Sequence, residues 1–208
     1  MTHPHTNAHA NAHANVIYHL DSSNNRIKAY EFLTTDNLMC LPTNINKDKI
    51  FQMLKEAYKE LSICMPRYLC TSSSKYDFTD DINKVSVFLW NSIGFIEYYE
   101  IKSLFSGNNI IYIDLIATKR GYGRKMMNMF LSTFDCDITI ELKSIYYAID
   151  FYLEQGFIPM EEHVEFEGRK INIKDYIIFV RENKGKEYHD FPMIWMQYKK
   201  LNNSMTNI

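Results

Sequence analysis

The sequence predicts a mixed α/β fold built on a mostly antiparallel sheet, and three observations carry that prediction. An apolar hairpin is followed by a strand, helix, strand, helix order, and a closing strand lies near the C-terminus. The hairpin is read from two apolar runs, 85–90 and 95–101, on either side of the turn Asn91-Ser92-Ile93-Gly94. The alternating order occupies residues 110–156, and the closing strand is 193–198.

Each element has its own signal. Residues 1–15 are built mostly of His, Asn, Ala and Thr, with nothing to bury, and are expected to form a disordered tail before a single domain over 16–208. His3, His5, His9 and His13 in that tail suit weak metal binding or plain solvation, and no Cys or carboxylate lies nearby to complete a closed site. Residues 27–33 read as a first strand. Asn46 is placed to cap a helix in which Ile50, Leu54, Ala57 and Leu61 recur at helical spacing, ending before Pro66. A polar connection over 71–81 leads to the hairpin.

The run 110–117 is apolar almost throughout and predicts a central strand buried on both faces. A short glycine-containing turn follows, then Met126, Met127, Phe130 and Leu131 at helical spacing, then a strand over 138–142. A second helix is expected from Ser144 to Gln155, closed by Gly156, with Phe157 and Ile158 as a short strand. The charged stretch 161–190, with His163 and His189, reads either as a cleft wall or as a solvated excursion.

Composition narrows the function classes. An apolar fraction of 46% supports a sizeable core, and a net charge of -2 disfavours nucleic acid as a partner. Cys40, Cys64, Cys70 and Cys136 show no paired spacing and are expected to be reduced, mostly buried thiols. No apolar run reaches the roughly 20 residues of a membrane span, and no signal sequence is recognised, so a cytoplasmic location is expected.

Three segments in this order resemble the GNAT superfamily of acyl-CoA N-acyltransferases. The strand 110–117 followed by Thr118-Lys119-Arg120-Gly121-Tyr122-Gly123 is similar to that family's strand and R/Q-x-x-G-x-G/A turn, with Thr118 where Arg or Gln is usual and a shorter loop. The stretch Tyr147-Ala148-Ile149-Asp150-Phe151-Tyr152-Leu153-Glu154-Gln155-Gly156-Phe157 resembles its A-x-x-F-Y-x-x-x-G-F helix, with Ser144 or Ile145 where Asn commonly precedes it. Ile194-Trp195-Met196-Gln197-Tyr198-Lys199-Lys200-Leu201 is similar to its closing strand. The resemblance implies a sheet splayed at its middle strands with helices on both faces, and direct transfer of an acetyl group from acetyl-CoA to a primary amine, without a metal. The acceptor stays open among a small molecule, a sugar and a polypeptide, and the protein is expected to be a monomer or homodimer. The alternative is a catalytically degenerate member that binds CoA or a protein partner.

The chemistry fits the residue types. A helix N-terminus matches a pyrophosphate with backbone N–H groups and its dipole, the glycines let that backbone approach, and Lys119, Arg120, Arg124 and Lys125 add charge; an ordinary turn with solvated bases is the plain alternative. By resemblance Leu115, Ile116 and Ala117 pair with pantetheine, and Tyr122 and Ser144 join the cofactor site. An attacking amine must lose a proton, for which Asp114 and Glu141, then Glu97 and Glu100, are candidates. Tyr152 occupies the family position of the acid that protonates the leaving thiolate, and core packing is its plain alternative.

Overall fold

The computed structural model describes residues 16–22, 26–34, 37–64, 85–90, 93–134, 137–183 and 191–200. They form two compact units. One takes the described residues up to Tyr99 together with Leu115–Thr133, and the other takes Glu100–Asp114 and the described residues from Phe134 onward.

In the first unit, β1 (Val16–Asp21), β2 (Arg26–Thr34) and β3 (Asn37–Leu41) form an antiparallel meander. The other edge of β1 pairs antiparallel with β4 (Ser86–Trp90), which pairs with the first part of β5 (Gly94–Lys102). Helix α1 (Lys47–Cys64) starts where predicted, because the Asn46 side chain accepts a hydrogen bond from the Lys49 backbone at 2.9 Å. Its stripe of Ile50, Leu54, Ala57 and Leu61 is buried, and Tyr58 stacks on Phe95 of β5 at 6.0 Å. On the opposite face of the same strands, Phe88 and Tyr98 pack against Phe130 of helix α2 (Gly123–Ser132) at 5.6 and 5.2 Å. All five residues of β4 are buried, which is what helices on both faces require. The helix reaches this position through the end of β6 (Asn109–Thr118) and a four-residue turn.

In the second unit, the start of β6 runs parallel to β7 (Ile138–Ser144), with Ile111, Tyr112 and Ile113 opposite Ile140, Glu141 and Leu142. The closing strand β11 (Ile194–Lys200) pairs antiparallel along the whole of β7, and the two-residue β8 (Ile158–Pro159) pairs with β11. Between β7 and β8 lie a 3₁₀ turn (Tyr146–Ala148) and the short helix α3 (Ile149–Glu154), closed by Gly156 in the left-handed region at φ 86°. The stretch after residue 161 is an ordered hairpin, β9 (His163–Phe166) with β10 (Arg169–Asn172), leading into helix α4 (Ile173–Glu182). Asn172 caps α4 by accepting from the Lys174 backbone, and Tyr176 in its buried stripe donates to the Pro192 carbonyl at 2.7 Å.

The fold is thus mixed α/β with mostly antiparallel pairing, as predicted. Four expectations need correction. Residues 27–33 form a strand as expected, but it is the second, β2, because β1 precedes it, and β3 was not anticipated. Strand β6 is not buried on both faces, since Asp114 is exposed and Leu115 and Ile116 are half-buried. Ser144 does not begin a helix: it ends β7 opposite Ile194, and helical geometry starts only at Tyr146, as a 3₁₀ turn. Cys40 is an exposed free thiol rather than a buried one. The expectations for 1–15, 71–81, Cys70, Cys136, His189 and Leu201 lie outside the described residues.

Candidate active site

The glycine turn lies within the first unit. Lys119 donates its backbone N–H to the Ile93 carbonyl at 2.8 Å, and Tyr122 donates back to Lys119 at 3.2 Å, which reverses the chain in four residues. Gly121 holds φ 88°, a left-handed conformation that disfavours any side chain, and α2 begins two residues later. The N-cap Tyr122 makes no side-chain hydrogen bond to the helix, and no acidic residue occupies the first turn. The positive end of the dipole therefore meets no competing carboxylate from its own helix.

Side chains around the turn add positive charge. Lys119, Arg120 and Arg124 are exposed, while Lys125 holds its ammonium 5.3 Å above the Trp90 ring. Tyr122, itself exposed, sets its ring edge-on to the same Trp90 at 5.6 Å. Ala117 is buried and fits closely against β5: a Cβ on Gly94 would stand 2.4 Å from the Ala117 carbonyl oxygen and 2.8 Å from the Thr118 Cα. A glycine is required there by space rather than by dihedral angle. Leu115 and Ile116, just before it, remain half-exposed.

The carboxylates divide by accessibility. Asp114 is exposed on β6, two residues beyond Tyr112 and on the same face, where its charge and burial of the ring together raise the Tyr112 phenol above its ordinary value, burial contributing more. Glu141, directly opposite Tyr112, is 1% exposed. One of its oxygens accepts from the Ser103 hydroxyl at 2.7 Å and from the Gln197 amide at 3.1 Å. Glu97 is buried in the first unit, and Glu100 is exposed.

Tyr152 is buried in α3, its ring against Phe151 at 5.1 Å and Phe157 at 5.5 Å. Burial, and secondarily the neighbouring Tyr147, pushes its phenol well above the ordinary tyrosine range, so it keeps its proton through neutrality. Ser144 points to the face of β7 opposite Glu141, is buried, and donates its hydroxyl to the Ile145 carbonyl at 3.0 Å. A cavity of about 320 Å³ opens at the start of β6 and β7, between Glu100, Asp137, Lys199 and Lys200. Of the candidate catalytic and cofactor-binding residues only Glu100 lines it, so it does not coincide with the glycine turn, Asp114, Glu141 or Tyr152.

The structure thus joins Leu115 to Lys125 in one continuous segment and sets Asp114, Tyr112 and Glu141 on one sheet face. Sequence reasoning did not find Ser103 and Gln197, the residues that hold Glu141, because they stand 38 and 56 positions away and leave no local pattern. No group of three or more metal-ligating side chains occurs among the described residues, and no helix among them is long and apolar enough to cross a membrane.

No protein-family profile matches the sequence, and no curated protein matches it. Solved structures do. ElaA from Escherichia coli matches at a TM-score of 0.45 and 16% identity over 74% of this chain and 92% of its own. An acyl-CoA N-acyltransferase from Pseudomonas aeruginosa matches at 0.44 and 12% identity over 74% and 92%. A protein from Corynebacterium glutamicum described as histone acetyltransferase HPA2 and related acetyltransferase matches at 0.38 and 12% identity over 75% and 92%. The three segments that resemble the GNAT superfamily in sequence lie on β6 and the turn into α2, on α3 with the residues around it, and on β11.

Proposed function

We propose that this protein is an N-acyltransferase that moves an acyl group, acetyl in the simplest case, from acyl-CoA to a primary amine. The observation that carries the reading is the turn after β6. A left-handed Gly121, an N-cap that spends no side chain on the helix, a first turn free of acids and several cations suit a pyrophosphate. Acyl-CoA supplies the thioester. On this reading Lys119, Arg120, Arg124 and the backbone from Gly121 to Lys125 hold its phosphates, and Leu115 to Ala117 offer their strand edge to its pantetheine arm. Ser144 has a smaller part, since its hydroxyl is already donated locally.

The base is assigned to Asp114. An attacking ammonium of pKa about 10 must lose a proton, and an exposed carboxylate can meet it, whereas Glu141 is enclosed and already accepts two hydrogen bonds. Tyr152 is assigned as the acid, because a phenol whose pKa is raised by burial stays protonated at neutral pH and can donate to a departing thiolate. That same burial favours a second reading, a protein that binds CoA or a protein partner without turnover.

Thermal denaturation with and without millimolar CoA tests binding, and CoA release across an amine panel tests catalysis. The expected result is a higher melting temperature in CoA, lost in Gly121→Ala beyond the roughly 1 kcal/mol that a strained left-handed alanine costs. Turnover that falls at least tenfold in Tyr152→Phe supports catalysis. An unchanged melting temperature in CoA overturns the proposal, and stabilisation without turnover on any amine selects the second reading. Cytoplasmic location, a monomer or homodimer, and independence from nucleic acid and membrane belong to the same proposal.

A further inference from the structure

We infer that the sheet face carrying Asp114 is the acceptor subsite, and that its acceptor is a small mono-amine bearing an aromatic ring. The inference rests on the assignment of Asp114 as the group that receives the amine.

On β11, Trp195 shares a face with Lys143 of β7, its direct partner, and with Tyr112 of β6, whose ring lies 5.8 Å from it. Phe105, from the turn after β5, meets the same Trp195 edge-on at 5.6 Å. These three rings form a continuous aromatic surface. Phe105 is 49% exposed and Trp195 and Tyr112 are half-exposed, so the surface faces solvent rather than a core. Asp114 continues the Tyr112 face, about 7 Å further along the strand at two residues' rise.

The charges on this face define what suits it. A carboxylate at one end attracts an ammonium group. The ring of Tyr112, followed by that of Trp195, then offers a stacking partner at the distance of a two- or three-carbon linker. The Lys143 ammonium sits 5.9 Å from the centre of the Trp195 ring, and the register that sets Ile113 opposite Leu142 puts Lys143 in the row of Asp114, on the strand between it and Trp195. One negative and one positive group therefore stand in the same row beside the rings, so the face offers a carboxylate to one cation and a like charge, Lys143, to a second. A polyamine is disfavoured on that account, and a short alkyl amine leaves the rings uncovered.

The test uses the full chain without cofactor and three amines: 2-phenylethylamine, n-butylamine and spermidine. Binding is read by saturation transfer from protein to ligand protons, and steady-state KM is measured separately with acetyl-CoA present. The expected result is strongest transfer at the phenyl protons of 2-phenylethylamine. Affinity should fall at least about fivefold in Trp195→Ala, fall less in Trp195→Phe, and fall also in Phe105→Ala, a change on an exposed turn that leaves the core intact. The same change should appear in KM with kcat little altered. Equal binding of all three amines, or no effect of Trp195→Ala and Phe105→Ala, overturns the inference. Acetylation of spermidine but not of 2-phenylethylamine sinks the inference and leaves the acyltransferase reading standing. Ring-selective binding without acetylation does the reverse.

Discussion

Acid should weaken this protein through one imidazole. His19 of β1 lies beneath α2, with Phe88 edge-on at 5.9 Å and a 2.5 Å hydrogen bond between its Nε2 and the Tyr98 hydroxyl. Burial lowers its pKa from 6.5 to about 4, a nearby Asp21 opposing the shift and Lys28 adding to it. The folded pKa lies below the unfolded one, so the unfolded chain takes up the proton first. Stability from neutral His19 is therefore complete above pH 6.5, falls by about 1.4 kcal/mol per pH unit below it, and is exhausted near pH 4, a total of about 3 kcal/mol. That is a large share of the 5–15 kcal/mol typical of a domain. Carboxylates titrate in the same range, so the assay is a difference. Urea unfolding of the wild type and of His19→Gln, which keeps a neutral hydrogen-bonding group, is measured at pH 7.0 and 4.5. The wild type should lose about 2 to 3 kcal/mol more than the variant over that interval. Equal losses, or an imidazole resonance of His19 titrating near 6.5, refute the reasoning.

Two further outcomes follow from backbone geometry. Gly94→Ala drives a methyl group into the Ala117 carbonyl and the Thr118 Cα, neither of which is the end of a flexible side chain, and should cost more than about 2 kcal/mol in chemical denaturation. Asn46→Ala removes the cap of α1 and should cost about 1 kcal/mol, with helix content by circular dichroism otherwise unchanged, since the Ile50, Leu54, Ala57, Leu61 stripe still packs.

Where local chemistry decided the structure, the sequence could be read. The cap and stripe of α1, the β4 and β5 hairpin and the helix after Gly123 each have a signal within a few residues, and each appears where expected. Strand β1 escaped because it carries His19 and Asp21 among its apolar residues, and only tertiary packing provides the burial of His19. The Ser144 error has a similar cause. Its side chain follows Ile140 and Leu142 on one strand face, and pairing with Ile194 extends β7 past the point where composition suggested a helix. The stretch after 161 held readable evidence for α4 in the Asn172 cap and the spacing of Ile173, Tyr176, Ile177 and Val180. The glycine turn was legible as a motif. The environment of Glu141 was not, because it is assembled from three distant strands and turns.

The Ser103 hydroxyl does two jobs at once. It donates to Glu141 and accepts from the backbone N–H groups of Phe105 and Ser106, both at 3.2 Å, so it rivets the turn bearing Phe105 to the buried carboxylate of β7. The Phe105 ring is thereby anchored through a polar joint buried at Glu141. If the ring face receives the acceptor as inferred above, a change at this serine, or at Gln197, which shares the Glu141 oxygen with it, would tilt Phe105 and alter that face while every ring stays the same.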